Sequence, residues 1–170
     1  LDGEDRIVDV RLCTEQDDVL LHTRKGRAIR FATTGVRVFR GRNSVGVRGV
    51  KLAKDDYVIS MAVLHHVDVT PEEARAYLKH AAAMRRAISD LEEGEDIEDV
   101  SLEAGEEAAL SSERIAELGG AEEFVLTVAA DGIGKRSSAY EYRTMNRGGQ
   151  GVAGHDLSRG VPLASQTVVS

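Results

Sequence analysis

The sequence contains no tryptophan, a single cysteine and few aromatic side chains among its 170 residues. We therefore expect a core built mainly from valine, leucine, isoleucine and alanine. The single cysteine, Cys13, excludes an internal disulfide and fits a reducing compartment. Cys13 ends the alternating stretch Val8-Asp9-Val10-Arg11-Leu12-Cys13, so we interpret it as a strand residue. No basic residue is adjacent to it, which argues against a reactive thiol.

Long hydrophobic runs are also missing. No apolar stretch approaches the ~20 residues needed to span a bilayer, so we expect no membrane partner. The first residues, Leu1-Asp2-Gly3-Glu4-Asp5, have neither a signal-peptide pattern nor an initiator methionine. We interpret the chain as an internal fragment of a larger protein of the cytoplasm.

The net charge of −7 conceals two segments of opposite sign. Residues 67–123 contain 17 acidic and 5 basic side chains, a net charge of −12, and the rest of the chain has a net charge of +5. A basic scaffold interrupted by an acidic insertion is an asymmetry that hints at contact with nucleic acid.

The clearest pattern is an internal repeat. The segment Lys25-Gly26-Arg27-Ala28-Ile29-Arg30 is echoed by Asp131-Gly132-Ile133-Gly134-Lys135-Arg136, an offset of 106 residues between Gly26 and Gly132. The segment Gly41-Arg42-Asn43-Ser44-Val45-Gly46 is echoed by Asn146-Arg147-Gly148-Gly149-Gln150-Gly151, an offset of 105 residues between Gly46 and Gly151. Subtracting the 57-residue insertion leaves 48–49 residues a repeat, a length typical of one four-stranded propeller blade, about 40–50 residues.

Local patterns divide the chain into three parts. Residues 1–66 read as one blade, with expected strands at Ile7–Leu12, at Val36–Arg40 and on both sides of the turn at Gly26. Residues 67–123 form the insertion, with a helix over 71–89 that follows the cap pattern Thr70-Pro71-Glu72-Glu73, an acidic and loose or partly helical stretch over 90–107, and a short helix over 112–120. Residues 124–170 read as a second blade and the start of a further one at Val161–Val169. The predicted fold class is therefore all-β, with blades of four-stranded antiparallel sheet and an α-helical insertion.

Two motifs that suggest a catalytic or metal site fail in detail. Gly132-Ile133-Gly134-Lys135 lacks the earlier glycine and the following serine or threonine of a phosphate-binding loop, and Ser137 stands where a dinucleotide fingerprint needs a third glycine. His65 and His66 are adjacent, so in a strand they point to opposite faces and make a poor chelate. We therefore predict no catalytic residue, no metal site and no bound cofactor within these residues.

The basic residues are the candidate functional side chains, because they recur around the turns of both repeats. Repeated basic loops along one rim would neutralise DNA phosphates and release counterions without reading base sequence. The predicted DNA-binding residues are Arg24, Lys25, Arg27, Arg30, Arg37, Arg40, Arg42, Arg48, Lys135, Arg136, Arg143 and Arg147.

Glycines flank these basic residues and would allow backbone amides to approach a phosphate closely. The predicted loop-shaping glycines are Gly26, Gly41, Gly46, Gly132, Gly134, Gly148, Gly149 and Gly151. An ordinary solvated surface is the alternative interpretation of the basic residues.

These motifs resemble a known family. One part of the sequence is similar to a blade of the C-terminal domain of the DNA gyrase A protein: the run from Lys25 to Phe31 followed by Gly41 to Leu52. Another part is similar to the next blade: Gly132 to Ser138, followed by Glu141-Tyr142-Arg143 and Arg147 to Gly151. The resemblance covers roughly residues 1–66 and 122–155. It implies a β-pinwheel, a propeller-like disc that wraps DNA around a basic rim. Asn146 to Gly151 resembles a degenerate copy of the family's glycine-rich heptapeptide.

The resemblance also implies a function for the parent protein. The family is a type II topoisomerase that introduces negative supercoils at the expense of ATP. Its partners are the gyrase B protein and a second copy of the gyrase A protein in a heterotetramer, and it uses ATP and magnesium in other domains. This chain would be a non-catalytic part that binds and wraps double-stranded DNA, associated with the nucleoid. Two alternatives remain open: the C-terminal domain of the corresponding protein of topoisomerase IV, and a propeller that binds protein through its acidic insertion.

Overall fold

The computed structural model describes residues 6–41, 44–93, 110–157 and 160–169. The chain divides into two compact units. One comprises Leu1–His66 with Glu123–Ser170 and contains the sheets, and the other, Val67–Glu122, contains the helices. The all-β fold with a helical insertion is confirmed, since within the described ranges both sheets are antiparallel and both α-helices fall in the second unit.

Two antiparallel sheets make up the larger unit. Its strands, in chain order, are β1 (Asp17–Thr23), β2 (Arg27–Ala32), β3 (Val58–His65), β4 (Phe124–Ala129), β5 (Gly134–Ser138), β6 (Val152–Ala153) and β7 (Leu163–Val169). The first sheet has the order β3-β1-β2-β6, and the second has the order β5-β4-β7. In each repeat a central strand therefore pairs with the hairpin strand that follows it and with a strand that returns later, which is the expected signature of a duplicated unit.

The core of this unit is formed mainly by aliphatic side chains from both repeats. It is formed by Leu20, Ala28, Ala62, Leu64, Val125, Ala139 and Tyr142. Leucine and alanine dominate, as expected for a chain without tryptophan, but Tyr77, Tyr140 and Tyr142 are also buried. With Phe31, four of the seven phenylalanine and tyrosine side chains are buried, where each removes a large area from water.

The first sheet takes its last strand from the second repeat. Arg27 of β2 pairs with Ala153 of β6, and Ala28 pairs with Val152. The chain boundary expected between the two blades, at the insertion, is therefore not the boundary between the two sheets. The repeats interlock through main-chain hydrogen bonds.

Strand β7 forms one edge of the second sheet. The sequence suggested that residues 161–169 begin a further blade, but they pair with β4 along its whole length, from Phe124 with Val169 to Ala129 with Leu163. In the first repeat, β3 pairs with β1 in the same way. Among the described residues the second sheet therefore has three strands rather than the expected four, and none of the three begins a further blade.

Two expected strands are absent. Ile7–Leu12 and Val36–Arg40 adopt no regular structure, although both alternate apolar and polar residues. An extended segment becomes a strand only when a neighbouring strand pairs with its backbone, and among the described residues no strand pairs with either segment. Cys13 is accordingly an exposed residue outside any strand.

The helical unit begins with a capping box. Helix α1 (Pro71–Glu93) extends beyond its expected end at residue 89, and helix α2 (Ser112–Gly120) lies where expected. Thr70 accepts from the amide of Glu73 at 3.2 Å, and the Glu73 carboxylate accepts from the amide of Thr70 at 2.9 Å. Of the expected loose acidic stretch, residues 94–107 lie outside the described residues.

Helices α1 and α2 are tied together by polar contacts. The Arg114 guanidinium of α2 donates to Glu73 of α1 at 3.0 Å, and within α2 it donates to Glu117 at 2.8 Å. These two contacts, with Glu117 the larger influence, raise the pKa of Arg114. The Tyr77 hydroxyl donates to Glu122 at 2.8 Å, and Leu118 is fully buried in this unit.

Candidate nucleic-acid interface

The two hairpin turns have one backbone geometry. Gly26 and Gly132 both have positive φ, +73° and +85°, the region that glycine enters without steric cost. The amide of Gly26 donates to Thr23 at 2.9 Å, and that of Gly132 donates to Ala129 at 3.0 Å. The turn predicted twice from sequence is therefore formed twice, and it places residues 24–25 and 130–131 at equivalent positions.

The second repeated motif is also reproduced in the backbone. Gly46 and Gly151, the pair at an offset of 105 residues, have φ of +75° and +67°. Gly148 also has positive φ. Three other predicted loop-shaping glycines, Gly41, Gly134 and Gly149, do not. Gly134 opens β5 and is needed for space, since a Cβ there would lie 3.3 Å from the Thr127 carbonyl oxygen.

The glycine-rich loop 147–151 folds back onto the first repeat. The Arg147 guanidinium donates to the carbonyl oxygens of Gly35 at 2.7 Å and Arg48 at 3.1 Å. Next to it, the amide of Gly148 donates to Gly49 at 2.6 Å, and the amide of Lys51 donates to Gly149 at 2.8 Å. Arg147 therefore has a structural role at the junction of the repeats while its side chain remains exposed.

Arg27 of the first repeat also contacts the glycine-rich loop 147–151. Its guanidinium donates to the carbonyl oxygens of Gln150 at 3.2 Å and Gly151 at 2.9 Å. The side chain is half-buried. These two bonds hold the loop against the edge of β2, where β6 begins its pairing.

Most of the predicted DNA-binding side chains are exposed. The exposed members of the set are Arg24, Lys25, Arg37, Arg40, Arg48, Lys135, Arg136, Arg143 and Arg147. Arg42 lies outside the described residues. Exposure leaves these cations accessible to a polyanion.

Arg30 is a correction to the predicted set. Its side chain is only 4% exposed and its Nε donates to the fully buried Asp18 at 2.7 Å. The remaining nitrogens donate to the carbonyl oxygens of Ala139 at 3.0 Å and His65 at 3.1 Å. A guanidinium with these partners has no route to a phosphate, so Arg30 is a structural residue.

In the second repeat, two exposed cations already have partners. The Lys135 ammonium lies 2.8 Å from the Glu141 carboxylate, and the Arg136 guanidinium stacks 3.7 Å from the centre of the Phe124 ring. In the first repeat, Arg37 stacks 4.6 Å from the centre of the Phe39 ring. The pair with Glu141 neutralises part of the charge that the sequence suggested for the second repeat.

The structure adds basic residues that sequence reasoning missed. Lys51 and Lys54 are exposed on the loop that precedes β3, and the Lys25 ammonium donates to the Lys54 carbonyl oxygen at 2.6 Å. This contact joins the loop to the first turn. The two lysines were visible in the sequence, but nothing local placed them beside a turn about thirty residues away.

The described residues contain no cluster that could form a metal centre. Among them, no three histidine, cysteine, aspartate or glutamate side chains gather closely enough to hold a metal ion. His66 instead lies 2.8 Å from Asp18, and His65 lies 3.3 Å from Asp17. Within the same residues, neither helix is both long and apolar enough to cross a membrane.

Comparison with known proteins agrees with this geometry. A family model described as the DNA gyrase C-terminal domain, beta-propeller, matches residues 17–65 and 123–163. These two segments contain both hairpins and leave out the helical unit.

Curated relatives are A subunits of DNA gyrase. One from Granulibacter bethesdensis is 51% identical over 93% of this chain, and one from Rickettsia bellii is 44% identical over 93% of this chain. In each case the alignment spans only 17% of the relative's length.

Two solved structures share the fold. A C-terminal domain of DNA topoisomerase IV matches with a TM-score of 0.61 at 17% identity, over 100% of this chain and 36% of that chain. A DNA gyrase A C-terminal domain matches with a TM-score of 0.50 at 18% identity, over 92% of this chain and 32% of that chain. With the family model covering more than half of its residues, the chain belongs to the DNA gyrase C-terminal domain family of β-propellers.

Proposed function

We propose that this chain binds and wraps double-stranded DNA as part of a gyrase A protein. The observation that carries the proposal is the group of exposed arginines and lysines around the turns of a unit whose family is a gyrase DNA-binding domain. Exposed cations occur in both repeats, at the turn before β2 in the first and on β5 and the loop that follows it in the second. Such a surface suits the regularly spaced phosphates of a duplex.

The parent activity follows as part of the same proposal. The parent would be an ATP-dependent type II topoisomerase that introduces negative supercoils, in the cytoplasm at the nucleoid. Its partners would be the gyrase B protein and a second copy of the gyrase A protein. ATP and Mg²⁺ would be used by other domains. This chain would contribute DNA capture and no catalytic group.

Binding is tested with a salt series. The purified chain, with folding checked by circular dichroism, is titrated into a fluorescent linear duplex of mixed sequence at several salt concentrations. Phosphate contacts predict a log–log slope of roughly −0.9 per contact, so several contacts would make the decline steep. A folded chain that does not bind, or binds independently of salt, would contradict the proposal and favour a protein-binding module.

Wrapping is tested separately. A nicked plasmid is closed by ligase with and without the chain, and the linking number of the product is measured on a gel. Wrapping predicts a shift that grows with protein concentration. Salt-dependent binding without any shift would instead favour a domain that binds DNA without wrapping it, and would favour the topoisomerase IV alternative, whose C-terminal domain shares the fold.

A further inference from the structure

The two equivalent turns share a backbone but not a charge. Arg24-Lys25-Gly26 carries two cations, whereas Ala130-Asp131-Gly132 carries one carboxylate. The anchoring bond is nonetheless the same, because the amide of residue 24 donates to the carbonyl of Tyr57 at 2.9 Å and that of residue 130 donates to the carbonyl of Pro162 at 3.0 Å. The two turns therefore occupy equivalent positions in the two repeats, but the first is positively charged and the second is negatively charged.

Arg24 is held in place by Tyr57. Its Nη1 donates to the tyrosine hydroxyl at 2.8 Å, and the guanidinium carbon lies 5.6 Å from the centre of the ring. Tyr57 is 50% exposed, so the stack lies at the surface. One hydrogen bond and one cation–π contact fix the orientation of the guanidinium and leave its other N–H groups to face an anion.

Lys25 is held through the backbone by Asp56. One carboxylate oxygen of Asp56 accepts from the amide of Lys25 at 3.0 Å and from the amide of Tyr57 at 3.0 Å. The same aspartate thereby ties the turn to the residue that supports Arg24. The Lys25 ammonium uses one donor on the Lys54 carbonyl oxygen and retains two others.

The charge around this turn is positive. Arg24, Lys25, Lys51 and Lys54 are all exposed, and the loop contributes two carboxylates, Asp55 and Asp56. One of these, Asp56, is used on the two amides described above. The two turn cations form no ion pair among the described residues.

The second turn has different side-chain contacts from the first. The Asp131 carboxylate accepts from the amide of Ile133 at 3.1 Å, a local bond that closes the turn. Pro162 stands where Tyr57 stands in the first repeat, and its side chain has neither an aromatic ring nor a hydroxyl that could orient a cation. A carboxylate at this position would repel a phosphate.

We propose that Tyr57 and Asp56 are positioning residues for DNA, which hold Arg24 and Lys25 in a phosphate-binding arrangement that, among the described residues, the first repeat has and the second lacks. The inference rests on the proposed function. It predicts unequal roles for two turns that the sequence repeat presents as equivalent, and a phosphate contact that depends on a tyrosine.

The first experiment compares charge-matched variants of the chain, again with a fluorescent linear duplex. Arg24→Ala/Lys25→Ala is expected to bind roughly tenfold or more weakly at 0.1 M salt and to reduce the log–log salt slope by about 1.8, the value for two phosphate contacts. The control Arg85→Ala/Arg86→Ala removes the same charge from exposed positions of α1 and is expected to retain the slope. Equal losses in both variants would overturn the inference.

The second experiment tests positioning with a double-mutant cycle. Tyr57→Phe keeps the ring but removes the bond to Arg24, and we expect binding to weaken roughly twofold to fivefold with an unchanged melting temperature, as for one exposed hydrogen bond. In an Arg24→Ala background the same change is expected to have no effect. Additive effects would show that Tyr57 acts independently of Arg24 and would overturn its positioning role.

The third experiment tests the second turn. Asp131→Asn retains an acceptor for Ile133 but removes the negative charge. Because this turn is inferred to lie away from the phosphates, affinity is expected to stay within about twofold at moderate salt, where screening confines charge effects to roughly 10 Å. Clearly weaker binding would show that the second turn also contributes to DNA contact and would overturn the asymmetry, whereas tighter binding would show that the Asp131 carboxylate repels the phosphates and would support it. If the unsubstituted chain did not bind DNA at all, the proposed function itself would be contradicted.

Discussion

Arg30 and Asp18 form a buried ion pair across the β1–β2 hairpin, with the guanidinium Nε 2.7 Å from the carboxylate. Asp18 also contacts the His66 ring at 2.8 Å and accepts from the Thr144 hydroxyl at 3.3 Å. The amide of Met145 donates to the carbonyl oxygen of Arg30 at 2.8 Å. This single pair therefore connects both repeats in the middle of the larger unit.

The first prediction concerns this pair. Arg30→Met should lower the free energy of unfolding by about 3–5 kcal/mol, because it leaves Asp18 buried without its cation. Urea denaturation monitored by circular dichroism measures the change. The matched control is Arg40→Met at an exposed arginine, expected to stay within about 0.5 kcal/mol of the unsubstituted chain. Equal effects of the two substitutions would contradict the structural role of Arg30.

The second prediction uses the two equivalent glycines. Gly46→Ala should lower the free energy of unfolding by about 1 kcal/mol, because a residue with a Cβ is strained in a left-handed backbone conformation. Gly151→Ala carries the same penalty, and its Cβ would also press on the carbonyl group of Ala28 in β2. We expect a total loss of about 3 kcal/mol or more, since rigid backbone cannot yield to overpacking. Denaturation curves that show similar losses for both variants would argue against the pairing of β6 with β2.

The third prediction concerns pH. His22 is fully buried, and neither ring nitrogen has a hydrogen-bond partner among the described residues. Burial lowers the pKa of His22 from 6.5 to about 4; nearby Gln166 opposes this, and the charge of His155 reinforces it. The unfolded chain binds the proton more readily, so the contribution of neutral His22 is complete above pH 6.5 and is lost as the pH falls toward 4.

The free energy of unfolding should therefore fall by about 3 kcal/mol between pH 6.5 and 4. Denaturation at a series of pH values measures it. His22→Leu should flatten the dependence over that interval. His65→Gln, at a histidine whose side chain is 79% exposed, serves as the control and should leave the dependence in place. A curve for His22→Leu as steep as that of the unsubstituted chain would assign the acid sensitivity elsewhere.

The fourth prediction concerns the capping box of α1. Thr70→Ala removes the oxygen that accepts from the amide of Glu73 and should destabilise the helical unit by about 1 kcal/mol. Thr70→Ser retains the hydroxyl and should be nearly neutral. The helical signal in circular dichroism during thermal unfolding provides the measurement. A helix that melts identically in both variants would show that α1 does not depend on this cap.

Local backbone features of this fold could be read from the sequence because each depends on a few neighbouring residues. Glycine at 26 and 132 allows the positive φ of the two turns, and Thr70 with Glu73 marks the start of α1. The alternation at Ile7–Leu12 was a weaker guide. It identifies a segment able to become a strand, but not the neighbour that must accept its hydrogen bonds.

The candidate site was predicted less completely, and Arg30 shows why. It lies on β2, where Ala28, Ile29, Arg30 and Phe31 are all buried, so the strand has no solvent face on which a basic residue could be recognised as exposed. Exposure of the other basic residues in the turns followed from the loop composition. The partners of those residues did not, because Tyr57 is 33 residues from Arg24 along the chain.

The sequence alone determined the duplication, the glycine turns, the helical insertion and the segregation of acidic from basic residues. These properties are local or additive, and they persist whatever the strands pair with. Only the tertiary structure decided that β6 completes the first sheet, that Arg30 is buried against Asp18, and that Tyr57 lies beside Arg24. These are contacts between residues distant in the chain, and their energies depend on burial and geometry that no single segment encodes.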